Sequence, residues 1–343
     1  MTSKRVVAVQ LAVKLGDVRN NRRHIEDIVT QAIREHAPDM VFLPEVASAP
    51  NIHHPVMRDV VEPLNGPTLA LYRRLAREHG VTIGGGYLSV RSGDARGTYA
   101  ICEPGGAVHL HDKDQPTMWE NNYYAPGVDP GIADHTEGPI GVANGFEWIR
   151  TRTAARLRGR VRMVAGGMCF PSFPKWAVTK PWFWDRDHGM MLDMARETPG
   201  RMARVVGVPC VHPSHVGEIT MRSPFLPGVP WPTIMLGGTQ ITDAFGTSLG
   251  YMAFEDGEGY ICADVDWSDP QPTAPVPDRF WLPVLPWSVH AVWLSTNASG
   301  RLRYGLRKRR GANPWQHAPA ADPSVDLPPM VPAGMLDDPL VDS

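Results

Sequence analysis

The order of its apolar runs constrains this chain most. Short runs of strand length alternate with stretches of helical period from the N-terminus to about residue 265. Residues 6–11 read as a strand, and Asp17 stands where a helix N-cap would. Ile25, Ile28, Val29, Ala32 and Ile33 then recur at helical spacing. A buried strand over 40–43 stops at Pro44-Glu45. Gly66-Pro67-Thr68 opens a second helix that His79-Gly80 closes, and 81–88 is the next strand. Residues 98–103 and 107–111 flank Pro104-Gly105-Gly106 as a hairpin. After an irregular stretch over 112–137, the spacing predicts a strand over 140–144, a helix to about 158 and a strand over 161–165. A helix over 189–206 leads to a strand over 208–212, and further strands follow over 240–243, 249–254 and 260–265. This alternation marks an α/β fold.

The bulk chemistry narrows the function classes. Thirty-four Lys and Arg nearly balance 36 Asp and Glu, so no global charge draws nucleic acid or an anionic membrane. No apolar run reaches the length of a membrane span. The four cysteines (Cys102, Cys169, Cys210 and Cys262) form no CxxC pair and no metal-like cluster, which suits a reducing, cytoplasmic setting. No metal and no cofactor is expected. Residues 1–295 read as the main domain. Residues 296–343 read as a C-terminal extension, basic at first and then rich in Pro and Asp, with 318–343 poorly ordered.

Three motifs carry the chemistry. The first is Leu43-Pro44-Glu45, an acid closing a buried strand. The second is His111-Asp112-Lys113 followed by Pro116-Thr117 and Glu120. The third is the strand Gly138-Pro139-Ile140-Gly141-Val142-Ala143-Asn144 running into Gly145-Phe146-Glu147. In order and spacing these resemble the nitrilase, or carbon–nitrogen hydrolase, superfamily over roughly residues 1–265. Ser214-His215-Val216-Gly217 and Gly237-Gly238-Thr239-Gln240 fit its later loop and closing hairpin. The resemblance implies a four-layer α-β-β-α sandwich, with Glu45 as general base, Lys113 as oxyanion partner and Glu120 balancing the lysine. It also implies a small, non-peptide amide, nitrile or related substrate, and a homodimer or larger homo-oligomer.

The chain departs from the family at the nucleophile. Where the nitrilase branch reads Cys-Trp-Glu, this sequence reads Gly145-Phe146-Glu147. Cys169, in Gly166-Gly167-Met168-Cys169, is the other candidate. After the elbow the family has a helix, a strand, a second helix and another strand. All four follow Gly145 in order, whereas 170–188 after Cys169 shows neither helix nor strand period. The elbow is therefore expected at Gly145, and Cys169 at the end of the next strand.

Trp119, Tyr123, Tyr124, Phe146 and Phe170 are expected to wall the substrate, with His215 at its border. The histidines at 53, 54, 109 and 111 read as surface or turn residues, and the arginines from Arg150 to Arg162 as a solvated face. Three functions remain open. One is an enzyme using Glu/Lys acid–base chemistry without a thioester, in a step such as cyclisation or dehydration. The second is a conventional amidase or nitrilase using Cys169. The third is a non-catalytic binding or oligomer-partner protein on the same scaffold.

Overall fold

The computed structural model describes residues 3–177, 180–226 and 228–317, so the tail 318–343 lies outside the described residues. Elements of the first sheet open the chain: β1 (Ser3–Leu11), α1 (Val18–His36), β2 (Met40–Phe42), β3 (Glu62–Pro63), α2 (Pro67–His79), β4 (Thr82–Arg91), β5 (Asp94–Cys102) and β6 (Val108–Asp112). The second sheet starts with β7 (Ile132–Ala133) and β8 (Ile140–Val142). It continues through α3 (Thr151–Leu157), β9 (Met163–Ala165), α4 (His188–Val206) and β10 (Cys210–His212). The chain then forms β11 (Ser214–Arg222), β12 (Pro230–Leu236), β13 (Thr239–Thr242), β14 (Ser248–Met252), β15 (Gly259–Asp266) and α5 (Trp287–Arg309).

Among the described residues, one sheet has nine strands, in the order β12-β11-β1-β2-β4-β5-β6 with β15 on β1 and β3 on β4. The other has six, in the order β14-β13-β10-β9-β8-β7. The period of two along β1 and β2 sorts the layers. Val6, Ala8, Met40 and Phe42 pack with Ile140, Val142, Met163 and Ala165 of the other sheet, forming the core between the sheets. Val7, Val9, Leu11 and Val41 face the opposite way, onto Ile25, Val29, Leu69 and Leu75 of α1 and α2. Val164 packs outward with Leu157, Met202 and Ala203 of α3 and α4. The result is the expected α-β-β-α sandwich.

Two local expectations changed. The helix expected to follow Gly145 is a 3₁₀ turn over Gly145–Ile149 and then α3, interrupted at Arg150, whose backbone is extended (φ −98°, ψ 132°). Residues 214–217, expected as loop, open β11, which pairs antiparallel with β12 and lengthens the first sheet. The domain boundary expected at 295/296 falls inside α5. No helix among the described residues is long and apolar enough to cross a membrane.

Candidate active site

Four chain segments leave their strands at one end of the sandwich and converge. Glu45 follows β2, Lys113 follows β6, Gly145 follows β8 and Cys169 follows β9. The carboxyl ends of strands are where open α/β sheets commonly place ligands. Lys113 is fully buried. Its Nζ donates to Glu45 Oε1 at 2.8 Å and to both Glu120 oxygens at 2.8 Å. Glu120 also accepts the amide of Thr117 at 2.5 Å and Asn51 Nδ2 at 3.0 Å. One lysine is thus held by two carboxylates in a buried site, and these charge-assisted hydrogen bonds offset the cost of desolvating the three groups.

The electrostatics follow from that burial. Desolvation pushes the carboxyl of Glu45 up to about 7, opposed by Lys113 and reinforced by Glu120. Desolvation works against charged Lys113, but Glu120 and Glu45 outweigh it and hold its pKa above the ordinary value. A carboxyl able to gain and lose a proton near neutrality, beside a fixed ammonium, is the pairing general acid–base chemistry uses.

Gly145 lies against this pair. Its φ is +61°, in the left-handed region, and its amide donates to Gly167 O at 2.8 Å. A Cβ built there would fall 2.4 Å from Lys113 Nζ and 2.6 Å from each Glu45 oxygen. The two side chains therefore close over the space a side chain at 145 would take. Val46 (φ 45°) and Met118 (φ 53°) are also left-handed. For a β-branched residue this is a genuine outlier, and such strain concentrates at functional sites.

Cys169 borders the cluster through its backbone, its amide donating to Glu45 Oε2 at 3.2 Å. Its sulfur accepts the amide of Asn51 at 2.9 Å. Burial pushes the thiol well above its ordinary pKa, and Glu45 and Glu120 add to the rise. A thiol in that condition is a poor source of thiolate.

The expected wall residues divide. Trp119 and Phe170 line a small apolar cavity, with Met118, Phe173, Met191 and Trp231, holding space of about 20 Å³, room for one water-sized group. Phe146 meets Phe170 edge to face, with centroids 4.9 Å apart. The hydroxyl of Tyr124 accepts from Asn51 Nδ2 at 3.2 Å, which ties it to Glu120. Tyr123 packs away from the cluster, beside His53 and with Val46, Met57 and Tyr304. His215 sits behind Glu45, its Nε2 donating to the Glu45 carbonyl at 2.9 Å. Burial pushes that imidazole down to about 4, so it stays neutral.

A second buried network lies beneath the first, and sequence reasoning misread it. His111 is buried, with Asp129 on one ring nitrogen and Glu147 on the other at 2.8 Å. Burial opposes its charge, but the two carboxylates prevail and raise its pKa to about 10. Glu147 further accepts the amides of Asn144 at 2.8 Å and Asp114 at 3.0 Å. Arg150, read as solvated, is buried, and Arg156, read likewise, is half-buried; both pair with Asp114, while Arg156 also reaches Glu147. Arg150 additionally donates to Gln115 O at 2.8 Å and Thr117 Oγ1 at 2.7 Å, bracing the loop between Lys113 and Glu120. Asn51, Asp114, Asp129 and Arg150 carried no sequence signal beyond their residue type. Among the described residues no group of three or more His, Cys, Asp or Glu has metal-binding geometry.

Comparison with known proteins agrees with this architecture. Residues 5–159 match the family model described as carbon-nitrogen hydrolase. No curated protein is a sequence match. A carbon-nitrogen hydrolase of Helicobacter pylori superposes with a TM-score of 0.64 at 17% identity, covering 78% of this chain and 90% of that one. A CN-hydrolase superfamily protein of Xanthomonas campestris gives 0.60 at 16%, covering 78% and 91%. A mutant of an amidase of Nesterenkonia, showing the result of Michael addition of acrylamide at its active-site cysteine, gives 0.58 at 15%, covering 84% and 99%. The likeness to the carbon-nitrogen hydrolase model is thus confined to residues 5–159, and the chain shares the α/β fold of these solved nitrilase-superfamily structures.

Proposed function

We propose that this protein acts on a small, non-peptide C–N compound through Glu45 and Lys113, without a covalent thioester, Gly145 standing where relatives carry the nucleophile. The observation that carries this reading is the Cβ position at Gly145, within 2.6 Å of both Glu45 oxygens and Lys113 Nζ. The Nesterenkonia amidase has an active-site cysteine, and this chain offers no side chain at that tip.

In the hydrolytic form, Glu45 takes a proton from a water as its oxygen bonds to the substrate carbon. The developing oxyanion meets the ammonium of Lys113, and the departing nitrogen then takes the proton from Glu45 as the C–N bond breaks. In a cyclisation, an internal nucleophile of the substrate replaces the water and the same proton moves. Base assistance of this kind contributes roughly 10²–10⁴ in rate. Lacking a covalent intermediate, the site suits an activated or strained substrate rather than a plain amide. Asn51 Oδ1 has no hydrogen-bond partner among the described residues, leaving an acceptor beside Glu120 for a substrate N–H.

A second reading, a conventional amidase or nitrilase using Cys169, draws on the hydrogen bond between the Cys169 amide and Glu45. Ammonia release across activated amides, nitriles and cyclisable precursors separates the two. Glu45→Gln is expected to lower turnover by about 10²–10⁴, while Cys169→Ala stays within a few-fold of the parent. Loss of activity in Cys169→Ala, with matching inactivation by iodoacetamide, would establish the thiol route instead. Tight binding without turnover would point to a binding protein.

A further inference from the structure

Helix α5 wears two faces. Its inner face packs on the Met118–Asn122 turn: Asn121 Nδ2 donates to Asn297 Oδ1 at 2.8 Å and Arg301 Nε to Asn121 Oδ1 at 3.1 Å. Its outer face is uncovered. Trp287 (65% exposed), Leu294 (56%), Leu302 (65%) and Leu306 (41%) recur at helical spacing, with the exposed Ala291 and Ala298 between them. Phe280 and Val284 extend the patch, so six of the twelve large apolar residues exposed in the described chain lie on residues 280–306. An apolar surface so concentrated marks a contact with another segment or molecule.

The charge on the helix selects the occupant. α5 contains no Asp or Glu and ends in Arg307, Lys308 and Arg309, with Arg310 next. Arg309 and Arg310 have no carboxylate partner among the described residues. A second copy packed in parallel would bring one basic end against another, and an antiparallel copy would offer that end no carboxylate. Residues 318–343 have the complementary chemistry: five Asp, no Lys or Arg, and apolar side chains such as Met335, Leu336 and Leu340 beside Asp337 and Asp338. They are also within reach. Met335 lies eighteen positions beyond His317, a span of up to roughly 60 Å, against roughly 35 Å for the whole of α5.

We propose that the acidic, apolar tail 318–343 of the same chain docks on the outer stripe of α5, its carboxylates meeting Arg309 and Arg310. This is independent of the catalytic reading. The test uses the full-length chain with the photo-crosslinker p-benzoylphenylalanine in place of Met335. Irradiation is expected to give mainly a within-chain crosslink into residues 294–310. Yield should fall at least three-fold in 1 M NaCl and in the Arg309→Glu/Arg310→Glu variant, since exposed ion pairs are screened by salt. Both arginines are exposed, and circular dichroism checks that the variant remains folded. Crosslinks between chains would assign the stripe to a second copy and overturn the proposal, as would crosslinks that scatter or map elsewhere.

Discussion

At position 145 the backbone holds φ +61°, and any side chain would have to part Lys113 from Glu45. Glycine adopts this conformation freely, whereas alanine pays for it and for the displaced ion pair. Gly145→Ala should therefore lose about 1–3 kcal/mol in thermal or urea unfolding, and a change under about 0.5 kcal/mol would mean the pair does not close over this point. Glu45 supplies a pH signature. Its folded pKa is raised from 4.5 to about 7, so its contribution is fully present below 4.5 and is lost as pH climbs through 7. Glu45→Gln lacks that titration. The stability difference between variant and parent should shift in the variant's favour from pH 4.5 to 7.5, by on the order of 3 kcal/mol, and a flat difference would refute the raised carboxyl. Glu45, Lys113 and Glu120 were legible because each lies in a short motif beside a strand end. Asn51 and Arg150 were not, because a polar residue buried by partners distant in sequence leaves no local pattern.

Sequence periodicity captured the layers but not the joints between them. Strands 6–11 and 40–43 could be read because both of their faces are buried and their length is set by apolar runs. The break at Arg150 could not, since it exists to turn one guanidinium inward onto Asp114 and Thr117. His111 was misread for a related reason: its partner Asp129 lies in an irregular stretch with no period to flag it. The clamp it forms joins two elements of the site. Glu147 accepts the amide before Gly145 and the amide after Lys113, and His111 holds that carboxylate in place. His111→Gln takes one cation from buried Glu147, which keeps only Arg156, and from half-buried Asp129, and should cost about 3 kcal/mol. The sign of its pH dependence is fixed as well. A histidine raised from 6.5 to about 10 stabilises fully below 6.5 and loses that contribution as pH rises through 10. Denaturant titrations between pH 6 and 10 should show the parent losing stability more steeply than the variant, and parallel curves would mean the imidazole is not charged in the fold.

At the scale of the whole molecule, the C-terminal helix packs on a turn beside the site, although a composition shift near residue 296 read as the start of an extension. α5 crosses that boundary without interruption and rests on the turn that carries Glu120. The fit is tightest at Gly300, where a Cβ would meet Asn121 Cβ at 2.8 Å and the backbone of 121–122 at 3.2 Å. At Gly305, five residues on, a Cβ meets nothing within 4 Å. The same substitution at the two positions should therefore act with opposite sign. Gly305→Ala gains helix propensity at no steric cost and should stabilise by about 0.5–1 kcal/mol. Gly300→Ala gains the same propensity but must push α5 off the turn, and overpacking of this kind costs about 1–3 kcal/mol, enough to lower the melting temperature. If the helix positions Glu120 and through it Lys113, Gly300→Ala should also depress turnover while Gly305→Ala leaves it unchanged. Equal activities with unequal stabilities would reduce α5 to a structural cover with no hold on the Glu45–Lys113 pair.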